Sequence, residues 1–283
     1  MPEEEEREME RKIEIVVVYD RRYNRGHEKA FVPPLTGMHL AALIGGRAEV
    51  TLRHEKIRPL DPDDPPDADV FFLSTGTGFA PRAYRLADAL RANGRKVVIG
   101  GPHATVWAEE ALGHADAVVA GEAEGVMDDL MQDMEAGTMS GVYRAKEPHL
   151  LDGLPAPRYD LLELGYFVGR VVQATRGCPY GCAFCSTPRL SPGFRTRPIG
   201  DVVRDIEAYG GRSWWQRKVA WFWDDNLTAD RRYAKALLAE LVPLGKRWVT
   251  QASIECAQDD GLLDLMASSG CMGVFLGIET IRK

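Results

Sequence analysis

No apolar run in this 283-residue chain approaches the ~20 residues that a membrane-spanning helix requires. The longest candidates, such as Ile13–Tyr19, have the length of buried strands. The N-terminus, Met-Pro-Glu-Glu-Glu-Glu-Arg-Glu, has no basic stretch followed by an apolar core. It reads as a solvated acidic lead-in over residues 1–11, not as a secretory or mitochondrial signal. The expected location is cytoplasmic. Net positive charge is absent too: 35 Lys+Arg against 42 Asp+Glu leaves −7. That balance argues against a broad nucleic-acid surface. Cysteine is scarce, with five in all, and its spacing suits metal or redox chemistry better than a disulfide framework. The remainder, 45% hydrophobic and 27% charged, is ordinary globular composition and excludes a disordered or collagen-like chain. At ~100–200 residues per domain, the length predicts two domains or one large α/β domain.

The first half alternates strands and helices. Ile13–Tyr19, Ala48–Leu52, Val70–Ser74, Lys96–Gly100 and Ala117–Gly121 read as five strands. Most are nearly continuous apolar runs, as a parallel sheet covered on both faces requires. Thr36–Ile44, Pro81–Ala92 and Ala123–Met134 read as helices between them. The pattern predicts a doubly wound, Rossmann-like parallel sheet over residues 12–137. Ligands of such sheets sit beyond the carboxyl ends of the strands. Those ends are Ser74-Thr75-Gly76-Thr77, Gly100-Gly101-Pro102-His103 and Gly121-Glu122, all rich in small residues that let a ligand approach the backbone.

The pattern weakens over residues 138–167, where Leu154-Pro-Ala-Pro157 marks a linker. The alternation then restarts over 168–283. Val171–Thr175, Lys218–Trp223, Trp248–Ile254 and Val274–Ile278 read as strands, with helices at Ile199–Tyr209, Arg231–Val242 and Gly261–Ser268. Four βα units with polar residues at the strand ends predict part of a (β/α) barrel and its catalytic rim. Charge is uneven here: residues 170–218 hold nine Arg/Lys and three Asp/Glu, a local +6 against −13 elsewhere. Such a belt suits an anionic cofactor or substrate, or else forms a solvated helical face. The Arg195-x-Arg197 pair is the candidate for an anionic substrate group. Trp214, Trp215, Trp221 and Trp223 read as core or interdomain packing.

The strongest chemical signal is Arg176-Gly-Cys178-Pro-Tyr-Gly-Cys182-Ala-Phe-Cys185, directly after a predicted strand. Three thiolates on one tight loop can hold three irons of a cubane cluster and leave the fourth open. A zinc site lacking its fourth ligand is the alternative. Zinc sites, however, usually pair such cysteines with a second pair or with histidines, and none follows at a suitable spacing. The C-x3-C-x2-C spacing resembles the signature of the radical S-adenosylmethionine (SAM) enzymes. The resemblance implies that Cys178, Cys182 and Cys185 ligate a 4Fe-4S cluster whose open iron chelates SAM. Reductive cleavage of SAM would then give a 5′-deoxyadenosyl radical. By the same resemblance, Phe184 lies beside the adenine. Asp224, Asp225 and Asn226, in the form seen in the cobalamin-dependent branch, face the SAM ammonium, and Ser253, Gly277 and Glu279 complete the SAM contacts. Asp225 and Glu279 also read as simple helix-start carboxylates.

The segments Val98–Thr105 and Asp116–Glu124, with the Leu154–Leu161 linker, resemble the cobalamin-binding half of that branch. The resemblance places Ser74, Thr75, Gly76, Thr77, Gly100, Gly101, Pro102, His103, Gly121 and Glu122 around the corrin and its nucleotide tail. The Asp-x-His-x-x-Gly cobalt-binding motif is absent: Asp20–His27 does not match it, and His103 reads as a turn residue more than a cobalt ligand. The implied activity is cobalamin-dependent methyl transfer to an unactivated carbon. Radical cyclisation of a tetrapyrrole, another secondary-metabolite step, or a non-catalytic cluster- and cobalamin-binding fragment are the alternatives. The implied partners are a small-molecule substrate and an electron donor such as flavodoxin or ferredoxin. The family barrel has six βα units, so four strands before Lys283 imply a C-terminally truncated chain. No spacing in the sequence marks a catalytic residue or names the substrate.

Overall fold

The first strand, β1 (Lys12–Val17), is apolar at four of its six positions and becomes an inner strand of a parallel sheet. The computed structural model describes residues 11–20, 32–167, 169–208 and 213–279. The acidic lead-in up to residue 10, the non-matching Arg21–His27 stretch, Tyr209 and Thr280 lie outside them. Among the described residues the chain divides into two compact units, 11–20 with 36–147 and 32–35 with 148–279.

The first unit continues with α1 (Leu35–Ile44), β2 (Glu49–His54), β3 (Val70–Ser74), α2 (Ala80–Ala92) and β4 (Lys96–Gly100). Two short helices follow, α3 (Pro102–Val106) and α4 (Ala108–Leu112), then β5 (Ala117–Val119), α5 (Met127–Glu135) and β6 (Gly141–Tyr143). The sheet order is β2-β1-β3-β4-β5-β6, with every pair parallel. The order reverses between β1 and β3, so the crevice at their carboxyl ends is the topological switch point. Phe71, Leu73, Val97 and Ile99 from the sheet pack with Leu86 and Leu90 of α2 in one buried core. This is the predicted doubly wound sheet with one strand more. β6 lies within the stretch read as linker. Its three half-buried residues are too few to show a period, and pairing with β5 makes them a strand.

The second unit takes in the rest of that stretch. Leu151, Leu154 and Tyr159 are buried in it, and the Tyr159 hydroxyl donates to the Val171 carbonyl at 2.6 Å. Its elements are β7 (Arg170–Val172), β8 (Thr175–Arg176), α6 (Thr187–Leu190), β9 (Arg195–Thr196), α7 (Ile199–Glu207), α8 (Trp214–Lys218) and β10 (Val219–Phe222). Then come α9 (Arg231–Leu241), β11 (Arg247–Ala252), α10 (Asp260–Ser268) and β12 (Cys271–Leu276). A four-stranded parallel sheet runs β12-β11-β10-β7, and β8 and β9 pair antiparallel beside it. Val172, Ala220, Phe222 and Trp248 pack against Leu237 and Leu238 of α9 and Leu262 of α10. Asp230 and Asp259 cap α9 and α10 by accepting from Tyr233 N and Leu262 N, both at 3.0 Å. Each cap satisfies a backbone donor that the helix leaves open. The tryptophans read as packing residues differ in burial. Trp214, Trp215 and Trp223 are each about half exposed, while Trp221 stacks on Phe275 with centroids 6.2 Å apart. Among the described residues no helix is long and apolar enough to cross a membrane.

Candidate functional site

The cysteine loop leaves β8 at the carboxyl end of the second sheet. Gly177 opens it at φ +81°, and a Cβ there would lie 2.1 Å from the Gly193 carbonyl oxygen. Only glycine fits both the backbone conformation and the close approach. Cys178 is half-buried and Cys182 and Cys185 are exposed, all three as free thiols. The Cys185 N–H donates to the Cys182 carbonyl at 3.0 Å, so the C-x2-C portion is a hydrogen-bonded turn. Among the described residues no three His, Cys, Asp or Glu side chains are gathered as they would be around a single metal ion. The loop nonetheless offers three uncommitted sulfur donors within eight residues, the donor set a cluster takes.

Two adjacent aspartates after β10 face different surroundings. Asp224 is 1% exposed and accepts from Ala174 N at 3.0 Å, from Thr175 N and from the Thr175 hydroxyl at 2.7 Å. Burial raises its carboxyl to about 7, although these donors pull the other way. Asp225 is exposed and turns to the loop: it accepts from Gly177 N at 3.2 Å and from the Thr187 hydroxyl at 3.1 Å. Asn226 is buried, and its Oδ1 accepts from Ser253 N and the Thr228 hydroxyl, both at 3.2 Å, tying the ends of β10 and β11. The loop, Asp225, Asp224, Asn226 and Ser253 therefore form one connected rim.

Phe184, 70% exposed, stands out from the loop. Gly277 and Glu279 lie exposed after β12, with Glu279 at φ +56° folded back so that a Cβ on Gly277 would meet its carboxylate. Behind the rim, the Tyr233 hydroxyl sits between the carbonyls of Ala174 (3.1 Å) and Arg197 (2.8 Å). Burial, and then the Asp224 charge, hold that phenol well above its ordinary value.

The arginine pair departs from its expected role. Arg197 is buried, donating to Asp205 and to the Gln173 carbonyl, both at 2.8 Å, and Arg195 donates to the His149 carbonyl at 2.7 Å. Arg197 holds the fold and is not offered to a substrate. Nothing in the spacing of 195 and 197 reveals Asp205 as its partner, because that contact needs α7 to fold back.

In the first unit the predicted residues ring the carboxyl ends of β3, β4 and β5. Gly101, at φ +96°, lets the β4 turn lie against Thr75, where a Cβ would sit 2.8 Å from the Thr75 carbonyl oxygen. Thr75 N donates to the Gly100 carbonyl at 3.0 Å, and His103 N to the Thr75 carbonyl at 3.2 Å. The Thr105 hydroxyl donates to the Gly101 carbonyl and accepts from Gly121 N, at 2.9 and 3.0 Å. It was not among the predicted residues, and it joins two of their loops. Ser74 and Glu122 are partly exposed, Thr77 and Pro102 more so. A Cβ at Gly76 or Gly121 would meet nothing within 4 Å, so both border open space. His103 is buried with both ring nitrogens engaged, by the Tyr84 hydroxyl at 2.8 Å and the Thr77 hydroxyl at 3.4 Å. Burial, and then a hydrogen bond with Glu110, push the Tyr84 phenol up to about 12. The rim suits a large ligand approached by backbone and small side chains, with His103 already committed to the turn.

The family model for the radical SAM superfamily matches residues 172–283, and that for the B12 binding domain matches residues 65–131. The chain is a radical SAM protein with a B12-binding domain. This radical SAM protein is 31% identical over 255 residues to bacteriochlorophyllide d C-12(1)-methyltransferase of Chlorobaculum tepidum, covering 88% of this chain and 56% of that protein. It is 32% identical over 262 residues to an uncharacterized methyltransferase of Synechocystis sp., covering 89% and 48%. It thus spans about half the length of these curated relatives. In fold it resembles the radical SAM methyltransferase TsrM of Kitasatospora setae, solved with cobalamin and a 4Fe-4S cluster bound. The TM-score is 0.73 at 17% identity, covering 97% of this chain and 62% of that one.

Proposed function

We propose that this protein is a cobalamin-dependent radical SAM methyltransferase, with Cys178, Cys182 and Cys185 as the ligands of a 4Fe-4S cluster. The observation that carries this reading is the loop itself: three free thiols on a short segment closed by Gly177, at the carboxyl rim of a parallel sheet. When bound, the cluster supplies the electron that cleaves SAM, and cobalamin supplies the methyl group. The chain's own residues position these groups. Asp225 presents a carboxylate at the rim beside the loop, where a SAM ammonium gains a charge-assisted hydrogen bond, and Asn226, its oxygen taken by Ser253 N and the Thr228 hydroxyl, holds the ends of β10 and β11 in place for it. Phe184 offers an exposed ring for stacking on adenine. Ser253, Gly277 and Glu279, at the ends of β11 and β12, contribute the remaining contacts, while buried Asp224 sets the backbone beneath them.

In the B12-binding unit, the Ser74–Thr77, Gly100–His103 and Gly121–Glu122 loops border the corrinoid through backbone and small side chains, with His103 held by Tyr84 and Thr77 and not offered to cobalt. A small-molecule substrate and a low-potential protein reductant of the flavodoxin or ferredoxin type complete the system. The names of the relatives place methyl acceptors as different as a bacteriochlorophyllide and a hopanoid within one family, so no single acceptor follows for this chain.

Anaerobic reconstitution tests the reading. The wild-type chain takes up about four irons, shows an EPR signal perturbed by SAM, and releases 5′-deoxyadenosine under strong reductant. Cys178/Cys182/Cys185→Ala abolishes all three. Iron uptake that survives the triple substitution would overturn the cluster assignment. A chain that retains no corrinoid under saturating supply would overturn the cobalamin assignment.

A further inference from the structure

Asp225 spans the cysteine loop from end to end. One carboxylate oxygen accepts from Gly177 N, one residue before Cys178, and the other from the Thr187 hydroxyl, two residues after Cys185. The loop between these points holds all three sulfur donors, and its one internal backbone bond is the Cys182–Cys185 turn. On its other side Gly177 lies close against Gly193 and Ser191, whose carbonyl oxygens a Cβ there would meet. The exit, at the start of the four-residue helix α6, is tied to Gly177 through Asp225. The neighbouring Asp224 bonds to Ala174 and Thr175 upstream of the loop, which anchors the strand end carrying both aspartates.

We propose that Asp225 is a positioning residue for the cluster ligands, a carboxylate clamp that closes the cysteine loop by joining Gly177 to Thr187. The proposal builds on the cluster reading of the three cysteines, and its test keeps the two apart. A closed loop leaves the three thiolates fewer arrangements, so less conformational freedom is lost when the cluster binds. Opening the loop lets the sulfurs spread, which uncovers half-buried Cys178 to alkylating agents and speeds the loss of bound iron.

The experiment uses Asp225→Asn, Thr187→Val and Thr187→Ser in the full chain. In metal-free protein, the alkylation rate of half-buried Cys178 is read by mass spectrometry, with exposed Cys182 and Cys185 as references and buried Cys256 as an internal control for global unfolding. In reconstituted protein, iron loss to a chelator is timed. Thr187→Val removes one charge-assisted bond and should raise Cys178 alkylation and iron loss by about fivefold to tenfold. Asp225→Asn should equal or exceed it, Thr187→Ser should restore wild-type rates, and adding Thr187→Val to Asp225→Asn should change little. Cys256 should stay unreactive throughout. Wild-type rates in Thr187→Val would overturn the clamp and leave Asp225 as a ligand contact alone. A wild-type chain that takes up no iron would overturn the cluster reading, while the alkylation rates would still decide the clamp.

Discussion

Asp224 and Asp225 are neighbouring identical letters with opposite fates. One is buried against Ala174 and Thr175; the other is exposed and reaches the cysteine loop. Burial gives Asp224 a carboxyl near 7 in the folded state, against 3.8 unfolded. The folded chain therefore holds that proton more tightly than the unfolded chain does. The stabilisation is full below about pH 4 and is lost as pH rises through about 7. Asp224→Asn keeps an oxygen for the same donors but does not titrate. In urea unfolding, wild type should weaken relative to Asp224→Asn as pH rises across that window, and a difference that stays flat with pH would contradict it. The sequence showed that acidic and amide groups follow β10, since Asp-Asp-Asn is plain to read. It could not show which carboxylate turns inward, because that depends on the distant partners Ala174, Thr175 and Thr187.

At the scale of elements, two contacts govern how helices and turns hold the rims. Arg197, between β9 and α7, pairs with Asp205 of α7, and both side chains are fully buried. Asp205→Ala would leave the Arg197 guanidinium charged in the core, and loss of one member of a buried pair costs about 3–5 kcal/mol. Chemical denaturation should report that loss, and a change below about 1 kcal/mol would mean Arg197 finds other partners. Gly101, between β4 and α3, needs its positive φ and its contact with Thr75. Gly101→Ala should cost about 1–3 kcal/mol through strain and should weaken corrinoid titration by shifting the Gly100–His103 turn. The glycines and the β4 end are legible in the sequence. The reason for glycine at 101 is not, because Thr75 lies on another strand. β6 was hidden for a related reason: three residues carry no period, and the strand exists through its pairing with β5.

Over the whole molecule, the two units have separate sheets and separate cores. The cysteine rim belongs to one and the glycine-rich rim to the other. Cys178/Cys182/Cys185→Ala alters no residue of the glycine-rich rim, so it should abolish iron uptake and leave the corrinoid affinity of the chain within about twofold of wild type. Absorbance titration of that variant with a corrinoid decides it. A large loss of corrinoid affinity would show that the two sites are energetically coupled.

The sequence by itself determined the βα order of both halves, the three-cysteine loop after a strand, and the small residues at the strand ends. These are local patterns, set by side-chain period, turn chemistry and spacing along a few residues. The tertiary structure alone decided the strand order with its reversal between β1 and β3, the inward turn of Asp224, and the burial of Arg197 against Asp205. It also decided the engagement of His103 by Tyr84 and Thr77. Each of these joins residues that are not neighbours in the chain, and their identity is settled only when packing brings the elements together.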